Sequence, residues 1–272
     1  LGHGATAELR GCGSMLRPRL IPSLLIQQGD LVKTKGFRAP KYVGDPLNAV
    51  RIFSEKDADE ILVCDIDATT TGSPIEFGLI SELAGESRMP MTYVGGVRTA
   101  DELERLVSIG VEKVGLSSAA LGRPDLIREC ATGVGRQSVA VVLDVQEGRE
   151  GREVFTHSGS KGTGLDPVVF ARQGQDLGAG EVVINSIGRD GMRVGYDIPL
   201  VSELRRTLEI PVTCLGGAGS LTDVADLYRE VGVVGAAAGS LFVFHGRFDA
   251  VLISYPSWQE RDELYRLSLG SG

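Results

Sequence analysis

Short apolar segments rich in Val, Ile and Leu recur along the chain and are separated by amphipathic stretches. None of them alternates cleanly with polar residues, which is typical of parallel strands that are buried on both faces. They predict eight strands, at residues 20–26, 61–67, 91–94, 113–116, 139–145, 182–187, 211–215 and 233–237. Apolar residues at helical spacing predict helices at residues 46–56, 100–109, 124–131, 167–177, 198–208 and 221–230. This alternation of strand and helix indicates a parallel α/β fold.

The chain also repeats itself at a spacing of 121 residues, close to half its length. VGGVRTADELERL, which starts at Val94, matches LGGAGSLTDVADL at Leu215, and VCDIDATTTG at Val63 matches INSIGRDGMR at Ile184. A period of half the chain indicates two four-stranded halves related by a pseudo-twofold axis. The sequence therefore predicts a (β/α)8 TIM barrel with a half-barrel internal repeat, a fold that typically needs about 250 residues.

The barrel is expected to occupy residues 15–272 as one domain, because no linker-like stretch divides them. Residues 1–14, LGHGATAELRGCGS, lack a periodic pattern and are interpreted as a disordered or vector-derived extension.

Composition excludes several classes of partner. The 272 residues are 42% hydrophobic and carry a formal net charge of −8, which disfavours nucleic acid and anionic membrane surfaces. No run of 18 apolar residues is present, so no membrane span is expected. The three histidines lie far apart, and neither a metal site nor a cofactor is predicted. The four cysteines are Cys12, Cys64, Cys130 and Cys214, and they show no CxxC spacing. Cys64 and Cys214 lie in apolar runs, so buried free thiols, typical of a reducing cytoplasm, are expected.

Glycines and serines follow four of the predicted strands, at the barrel face where such enzymes bind their substrates. Glycine lets a phosphate approach bare backbone N–H groups, and serine hydroxyls add further donors. Two such pairs on opposite sides of the mouth predict a ligand with a phosphate at each end, and the alternative is that the glycines only form tight turns. The candidates are Gly95, Gly96, Ser117, Ser118, Gly216, Gly217, Gly239 and Ser240.

Three further side chains at the same face could take part in chemistry. Asp144 ends the fifth strand and is a candidate general acid or base, although it could merely brace a loop. Lys33 lies in a long polar segment interpreted as a mobile lid, where it could neutralise a phosphate or simply be solvated. Asp190 and Gly191 follow the sixth strand and could contact a ligand or form a turn. The half-barrel counterpart of Asp144 is Leu25, 119 residues earlier, and leucine cannot transfer a proton.

Charges occur at the opposite ends of four strands, where core residues would be expected: Arg19, Glu60, Lys113 and Glu181. Charges at strand starts usually face solvent. Two cations and two anions could instead form a closed salt-bridged ring across the barrel floor and gate its interior.

Several segments together resemble one family. RLIPSLL, LVKTKGF, VGDPLNAV, VGGVRTADELERL, HSGSKGTGLD, INSIGRDGMRVGYD and LGGAGSLTD are similar to the cyclase (synthase) subunit of imidazole glycerol phosphate synthase. The resemblance extends over residues 15–265. It implies a (β/α)8 barrel with a glutaminase docked at its N-terminal face. Ammonia would pass through the barrel and react with a bisphosphorylated phosphoribulosyl compound.

The resemblance also implies roles for individual residues. The family's charged gate matches the four residues at the strand starts, and its phosphate sites match the glycine and serine pairs. A loop lysine matches Lys33, the second catalytic aspartate matches Asp144, and a substrate-loop aspartate matches Asp190. The departures are equally specific and fall at three positions. The family's first catalytic aspartate, another active-face aspartate and a pocket asparagine are replaced by Leu25, Gly188 and Ser117.

Loss of one of two cooperating acid–base groups typically slows a reaction by about 10²- to 10⁴-fold. The leading hypothesis is therefore an ammonia-conducting subunit of a glutamine amidotransferase complex. It is most like paralogues that support amidation of a nucleotide sugar for surface polysaccharide, and an ATP-dependent sugar amidotransferase would be its further partner. The alternative is a genuine cyclase, a lyase of histidine biosynthesis. A related ribonucleotide isomerase and a catalytically silent scaffold are further possibilities.

Overall fold

A computed structural model describes residues 17–148, 151–246 and 248–269. The extension expected at residues 1–14, together with Cys12, lies outside these described residues. Eight parallel strands follow one another around the structure: β1 (Arg19–Gln27), β2 (Ile61–Asp65), β3 (Met91–Val94), β4 (Lys113–Leu116), β5 (Val139–Glu147), β6 (Glu181–Ser186), β7 (Val212–Leu215) and β8 (Gly235–Ala238). Each strand pairs with the next, and β8 pairs with β1. The sheet is closed, which confirms the (β/α)8 barrel.

Helices surround the strands: α1 (Pro46–Glu55), α2 (Phe77–Glu86), α3 (Ala100–Ser108), α4 (Asp125–Val134), α5 (Pro167–Asp176), α6 (Ile198–Thr207), α7 (Leu221–Val231) and α8 (Trp258–Leu269). The predicted helices are present, and α2 and α8 were not among them. Within the described part of the chain, no helix is both long enough and apolar enough to cross a membrane. Most of the hydrophobic core lies between the barrel and these helices, and a smaller apolar cluster fills the barrel interior.

The half-barrel repeat is present in the local geometry as well. Helices α3 and α7 begin with identical capping boxes 121 residues apart. In each, the hydroxyl of the N-cap residue (Thr99 or Ser220) accepts a hydrogen bond from the backbone N–H of the third helical residue. The carboxylate of that third residue accepts one from the backbone N–H of the N-cap residue. The N-termini of the two helices are therefore capped in the same way, and a pair of glycines with positive φ precedes each of them.

A β-hairpin follows each of the strands β1 and β5, which are half-barrel counterparts. The chain after β1 turns at Gln28 and Gly29, both with positive φ, and forms two antiparallel strands, Asp30–Lys35 and Arg38–Gly44. The chain after β5 forms Arg152–Thr156 and Lys161–Gly162. The prediction of a long lid loop around Lys33 was therefore wrong, because this segment continues the sheet beyond the barrel rim.

Candidate functional site

A cavity opens at the C-terminal ends of the strands. Its volume is about 420 Å³, measured as the space available to the centre of a water-sized molecule. It brings together every residue that the sequence analysis placed at the mouth: Lys33, Gly95, Gly96, Ser117, Ser118, Asp144, Asp190, Gly191, Gly216, Gly217, Gly239 and Ser240. Segments nearly 210 residues apart in sequence thus line one space of a size that suits a small-molecule ligand.

Asp144 is the carboxylate at the bottom of this cavity. Burial raises its pKa to about 7, although the hydrogen bond that Asn185 Nδ2 donates to its Oδ1, at 3.1 Å, acts in the opposite direction. A carboxyl group with this pKa exists in both protonation states near neutral pH, as general acid–base catalysis requires. Asp190, at the cavity wall, accepts a hydrogen bond of 2.7 Å from the Thr34 hydroxyl, and burial also raises its pKa. Both acidic groups are thus held in defined positions.

Lys33 is buried within the cavity wall, with 5% of its surface exposed, so the solvated alternative is wrong. Its Nζ donates to the backbone oxygen of Ser23 at 2.5 Å. Burial lowers its pKa to about 8, while nearby Asp190 raises it. A Cβ added to Gly239 would lie 2.4 Å from this Nζ, so the ammonium group is in contact with one of the glycine and serine segments.

Leu25 occupies the position related to Asp144 by the repeat, and it also lines the cavity. Leu24, one residue earlier, is fully buried and packs toward the helices. The side chain that faces Asp144 across the mouth is therefore an isobutyl group. Gly188, the second departure, lies in the turn Ile187–Arg189, and an added Cβ there would have open space around it.

The glycine loops have structural reasons to contain glycine. Gly96 and Gly217 have φ of 66° and 111°, which glycine adopts readily and other residues rarely. A Cβ at Gly217 would lie 2.1 Å from the backbone oxygen of Gly195, and one at Gly95 would lie 2.7 Å from Cβ of Asp65. Close packing against the neighbouring loops explains these glycines by itself. It also leaves bare backbone facing the cavity.

The two hairpins cover part of the mouth. Phe37, at the tip of the first, packs toward Gly159 in the second, where an added Cβ would lie 3.1 Å from the Phe37 ring. The backbone N–H of Gly36 donates to the carbonyl of Asp190 at 2.9 Å. Asp190 lies in a turn and also lines the cavity. It therefore forms part of a turn and is also in a position to contact a ligand, the two possibilities that the sequence left open. The first hairpin is anchored across the mouth to the loop that follows β6.

A closed ring of four salt bridges spans the opposite end of the barrel. Arg19 contacts Glu60 at 2.6 Å and Glu181 at 2.7 Å, and Lys113 contacts the same carboxylates at 2.7 Å and 2.8 Å. Three of the four residues are over 90% buried. Burial would raise the pKa of Glu181, but Lys113 and Arg19 more than offset this and hold it at about 2. The four charged side chains therefore contact one another, and the alternative that they face solvent is wrong.

Behind the ring lies the apolar interior of the barrel. A small void there, about 10 Å³ by the same measure as the mouth cavity, adjoins Glu60 and Glu181. That space is close to the minimum for one water-sized molecule. The side chains between this void and the mouth are apolar, with Ile21, Leu62, Ala140 and Val183 nearest the ring. The ring, the void and the cavity thus lie along the interior of one barrel.

Other residues that line the cavity had not been selected from the sequence. Asn185 and Ser23 look like ordinary polar residues within apolar strands, and only the strand register reveals that they face the mouth. Cys64 is partly exposed at the cavity wall, which corrects its prediction as a buried thiol, whereas Cys130 and Cys214 are buried and free. His157 enters the site from the second hairpin, with Nδ1 3.0 Å from the Thr156 hydroxyl.

Within residues 17–148, 151–246 and 248–269, no group of three or more His, Cys, Asp or Glu side chains could hold a metal ion. The polar groups in the cavity are instead hydroxyls, an amide, glycine backbone and a few charged residues, which include Asp65 and Arg98 besides Lys33, Asp144 and Asp190. This lining suits an organic ligand with anionic groups.

Fold and site together define a (β/α)8-barrel protein with a polar cavity at one face and a charged ring at the other. The chain belongs to the histidine biosynthesis protein family, whose model matches residues 19–249. "Putative imidazole glycerol phosphate synthase subunit HisF" of Leptospira interrogans is 47% identical over 253 residues, which cover 92% of this chain and 100% of the relative.

Two further relatives extend the comparison. "Putative imidazole glycerol phosphate synthase subunit hisF3" of Vibrio vulnificus is 48% identical over 255 residues, covering 93% of this chain and 98% of that protein. "Imidazole glycerol phosphate synthase subunit HisF" of Hyphomonas neptunium is 39% identical over 230 residues, which cover 85% of this chain and 91% of the relative. The chain is therefore similar to this subunit along nearly its whole length.

Proposed function

We propose that this chain is the synthase-type subunit of a glutamine amidotransferase complex. A glutaminase subunit docks at the N-terminal face, and its ammonia enters through the ring of Arg19, Glu60, Lys113 and Glu181. The apolar interior conducts ammonia to the cavity, because a small neutral molecule crosses an apolar passage more easily than an ion does. The position of the ring and the small void behind it supports this direction of transfer.

The cavity binds a phosphorylated small molecule in this proposal. The backbone of Gly95 and Gly96 with Ser117 and Ser118 binds one phosphate, and the corresponding segments after β7 and β8 bind the other. Lys33 neutralises the second phosphate, which its contact with Gly239 supports. Asp190 and Gly191 contact the ligand from the loop after β6.

The observation that carries the proposal is Leu25 opposite Asp144. Cyclisation and cleavage of a carbon–nitrogen bond need proton transfer at both ends of the reacting centre, and at one of these ends Leu25 stands in place of a carboxyl group. The chain therefore hands ammonia to a different acceptor. Amidation of a nucleotide sugar for surface polysaccharide, with an ATP-dependent sugar amidotransferase as further partner, is the acceptor reaction we propose.

The second candidate is a genuine imidazole glycerol phosphate synthase cyclase, a lyase of histidine biosynthesis. Asp144, with a pKa of about 7, and Lys33, with a pKa of about 8, favour it, since both could exchange protons near neutral pH. The relatives that carry this subunit's name are consistent with it. The two candidates share the glutaminase and the conduit and differ in the fate of ammonia.

The shared part is tested with the glutaminase of the same species. We expect the two purified proteins to form a complex and glutamine hydrolysis to rise at least about tenfold when this chain is added, because allosteric coupling of 5- to 150-fold is typical. Size-exclusion chromatography and a glutamate-release assay provide the readouts. Separate elution at micromolar concentration, with no change in hydrolysis, would exclude the amidotransferase complex.

A further inference from the structure

The bottom of the cavity is chemically different in its two halves. Asp144 pairs in register with Asn185 on one side, and Leu25 pairs in register with Cys64 on the other. Asn185 follows Cys64 by 121 residues and Asp144 follows Leu25 by 119, so the two pairs occupy equivalent places in the two halves of the barrel. One half offers a carboxyl and an amide. The other offers an isobutyl group and a thiol that stays protonated, because burial raises its pKa to about 12.

Asn185 uses only part of its hydrogen-bonding capacity. Its Nδ2 donates to Asp144 Oδ1 at 3.1 Å, whereas its Oδ1 has no hydrogen-bond partner among the described residues. The residue is 8% exposed and lines the cavity. A buried acceptor without a donor costs stability, so its position calls for an explanation.

The surroundings keep this amide in one orientation. While Asp144 is ionised, a flip would place Oδ1 against its carboxylate, so the donor stays on that side. On the other side lies Gly216, where an added Cβ would be 3.2 Å from Oδ1 and 2.8 Å from the backbone oxygen of Ser186. Glycine therefore places no side chain beside Oδ1, and both Asn185 and Gly216 line the cavity.

We propose that Asn185 sets the orientation of the ligand in this cavity: Nδ2 positions Asp144, and Oδ1 accepts a hydrogen bond from an N–H or O–H group of the ligand. The ligand class is a small molecule with a phosphate at each end and a protic nitrogen or hydroxyl between them. The half formed by Leu25 and Cys64 faces the less polar side of the same molecule. This inference rests on the proposed ligand cavity, and it makes Asn185 a positioning residue and a ligand contact.

The positioning role is tested by the titration of Asp144. In Asn185→Leu, which keeps the volume but removes both hydrogen-bonding groups, the pKa of Asp144 should rise by about one unit, a tenfold change in the proton equilibrium. Asn185→Ala is a second variant, in case leucine disturbs the packing, and it should also raise the pKa of Asp144. Carbon-13 NMR of labelled aspartate carboxyls, compared with the unaltered chain, measures this shift. A titration of Asp144 that is the same in both variants would overturn the positioning role.

The ligand contact is tested with two probes, the bisphosphorylated phosphoribulosyl compound and inorganic phosphate. Calorimetry should show at least a tenfold loss of affinity for the first probe in both variants, with the affinity for inorganic phosphate kept within about twofold. Equal losses for both probes, or none, would overturn the contact. If the unaltered chain binds neither probe, the ligand cavity itself fails as a proposal, and the contact inferred from it fails too. The Asp144 titration then decides the positioning role alone.

Discussion

Leu25→Asp should raise the ammonia-dependent cyclase rate of this chain by about 10- to 100-fold. The substitution places a second carboxyl across the mouth from Asp144, and an acid–base group typically contributes about 10²- to 10⁴-fold. We expect the lower part of that range or less, because Gly188 and Ser117 also differ from the family pattern. Leu25 is partly exposed at the cavity wall, so a charged side chain there can remain solvated. The assay supplies the phosphoribulosyl compound with ammonium salt at high pH and follows imidazole glycerol phosphate.

Leu25→Asn is the matched control, since it has nearly the same shape as the aspartate but cannot transfer a proton. It should give no gain, and adding Asp144→Asn to Leu25→Asp should remove the gain. A folded Leu25→Asp protein that binds the substrate yet reacts no faster than Leu25→Asn would contradict the explanation by a missing acid–base group.

Lys113→Met should lower the free energy of unfolding by about 3–5 kcal/mol. The methionine keeps most of the apolar stem but removes the cation that contacts both Glu60 and Glu181, and a buried ion pair that loses one partner typically costs this much. Urea unfolding measures the change. Lys56→Met, at an exposed position, should stay within about 0.5 kcal/mol of the unaltered chain. Equal stability of the two variants would mean that the ring contributes little to folding.

The pH dependence of unfolding is a second test of the effect of Lys113→Met. Because the folded pKa of Glu181 lies below its ordinary value of 4.5, at about 2, its contribution is present above that ordinary value and is lost toward pH 2. The stability difference between Lys113→Met and the unaltered chain should therefore shrink as pH falls through this window. Affinity for phosphate should not change, since the ring and the glycine loops lie at opposite ends of the barrel.

The fold could be predicted because its dominant features are local in sequence. Buried parallel strands need continuous apolar runs, and the repeat at 121 residues specifies eight of them. The hairpin strands could not be found in this way, since Asp30–Lys35 and Arg38–Gly44 mix lysines with apolar residues at the sheet margin. Helix α2 begins without a side-chain cap after a segment rich in Thr, Ser, Gly and Pro. Helix α8 is mostly polar, and among its described side chains the buried ones are Arg261 and Ser268.

The site could be predicted where strand ends carry unusual residues. Glycine pairs after buried strands and a carboxylate at the end of β5 can be recognised from the sequence alone. The burial of Lys33 could not be predicted, because it depends on a hairpin that turns the side chain inward toward Ser23. The pairing of Asn185 with Asp144 depends on the register between β5 and β6, which no local pattern encodes.

The central claim is that Asp144, without a carboxylate at position 25, does not suffice for the cyclase reaction. The most direct measurement compares the unaltered chain with the relative from Hyphomonas neptunium, which is named imidazole glycerol phosphate synthase subunit HisF. Both receive the phosphoribulosyl compound and ammonium salt without a glutaminase. We predict a rate for this chain at least about 10²-fold below that of the relative. A rate within about tenfold of it would contradict the claim and favour the cyclase function.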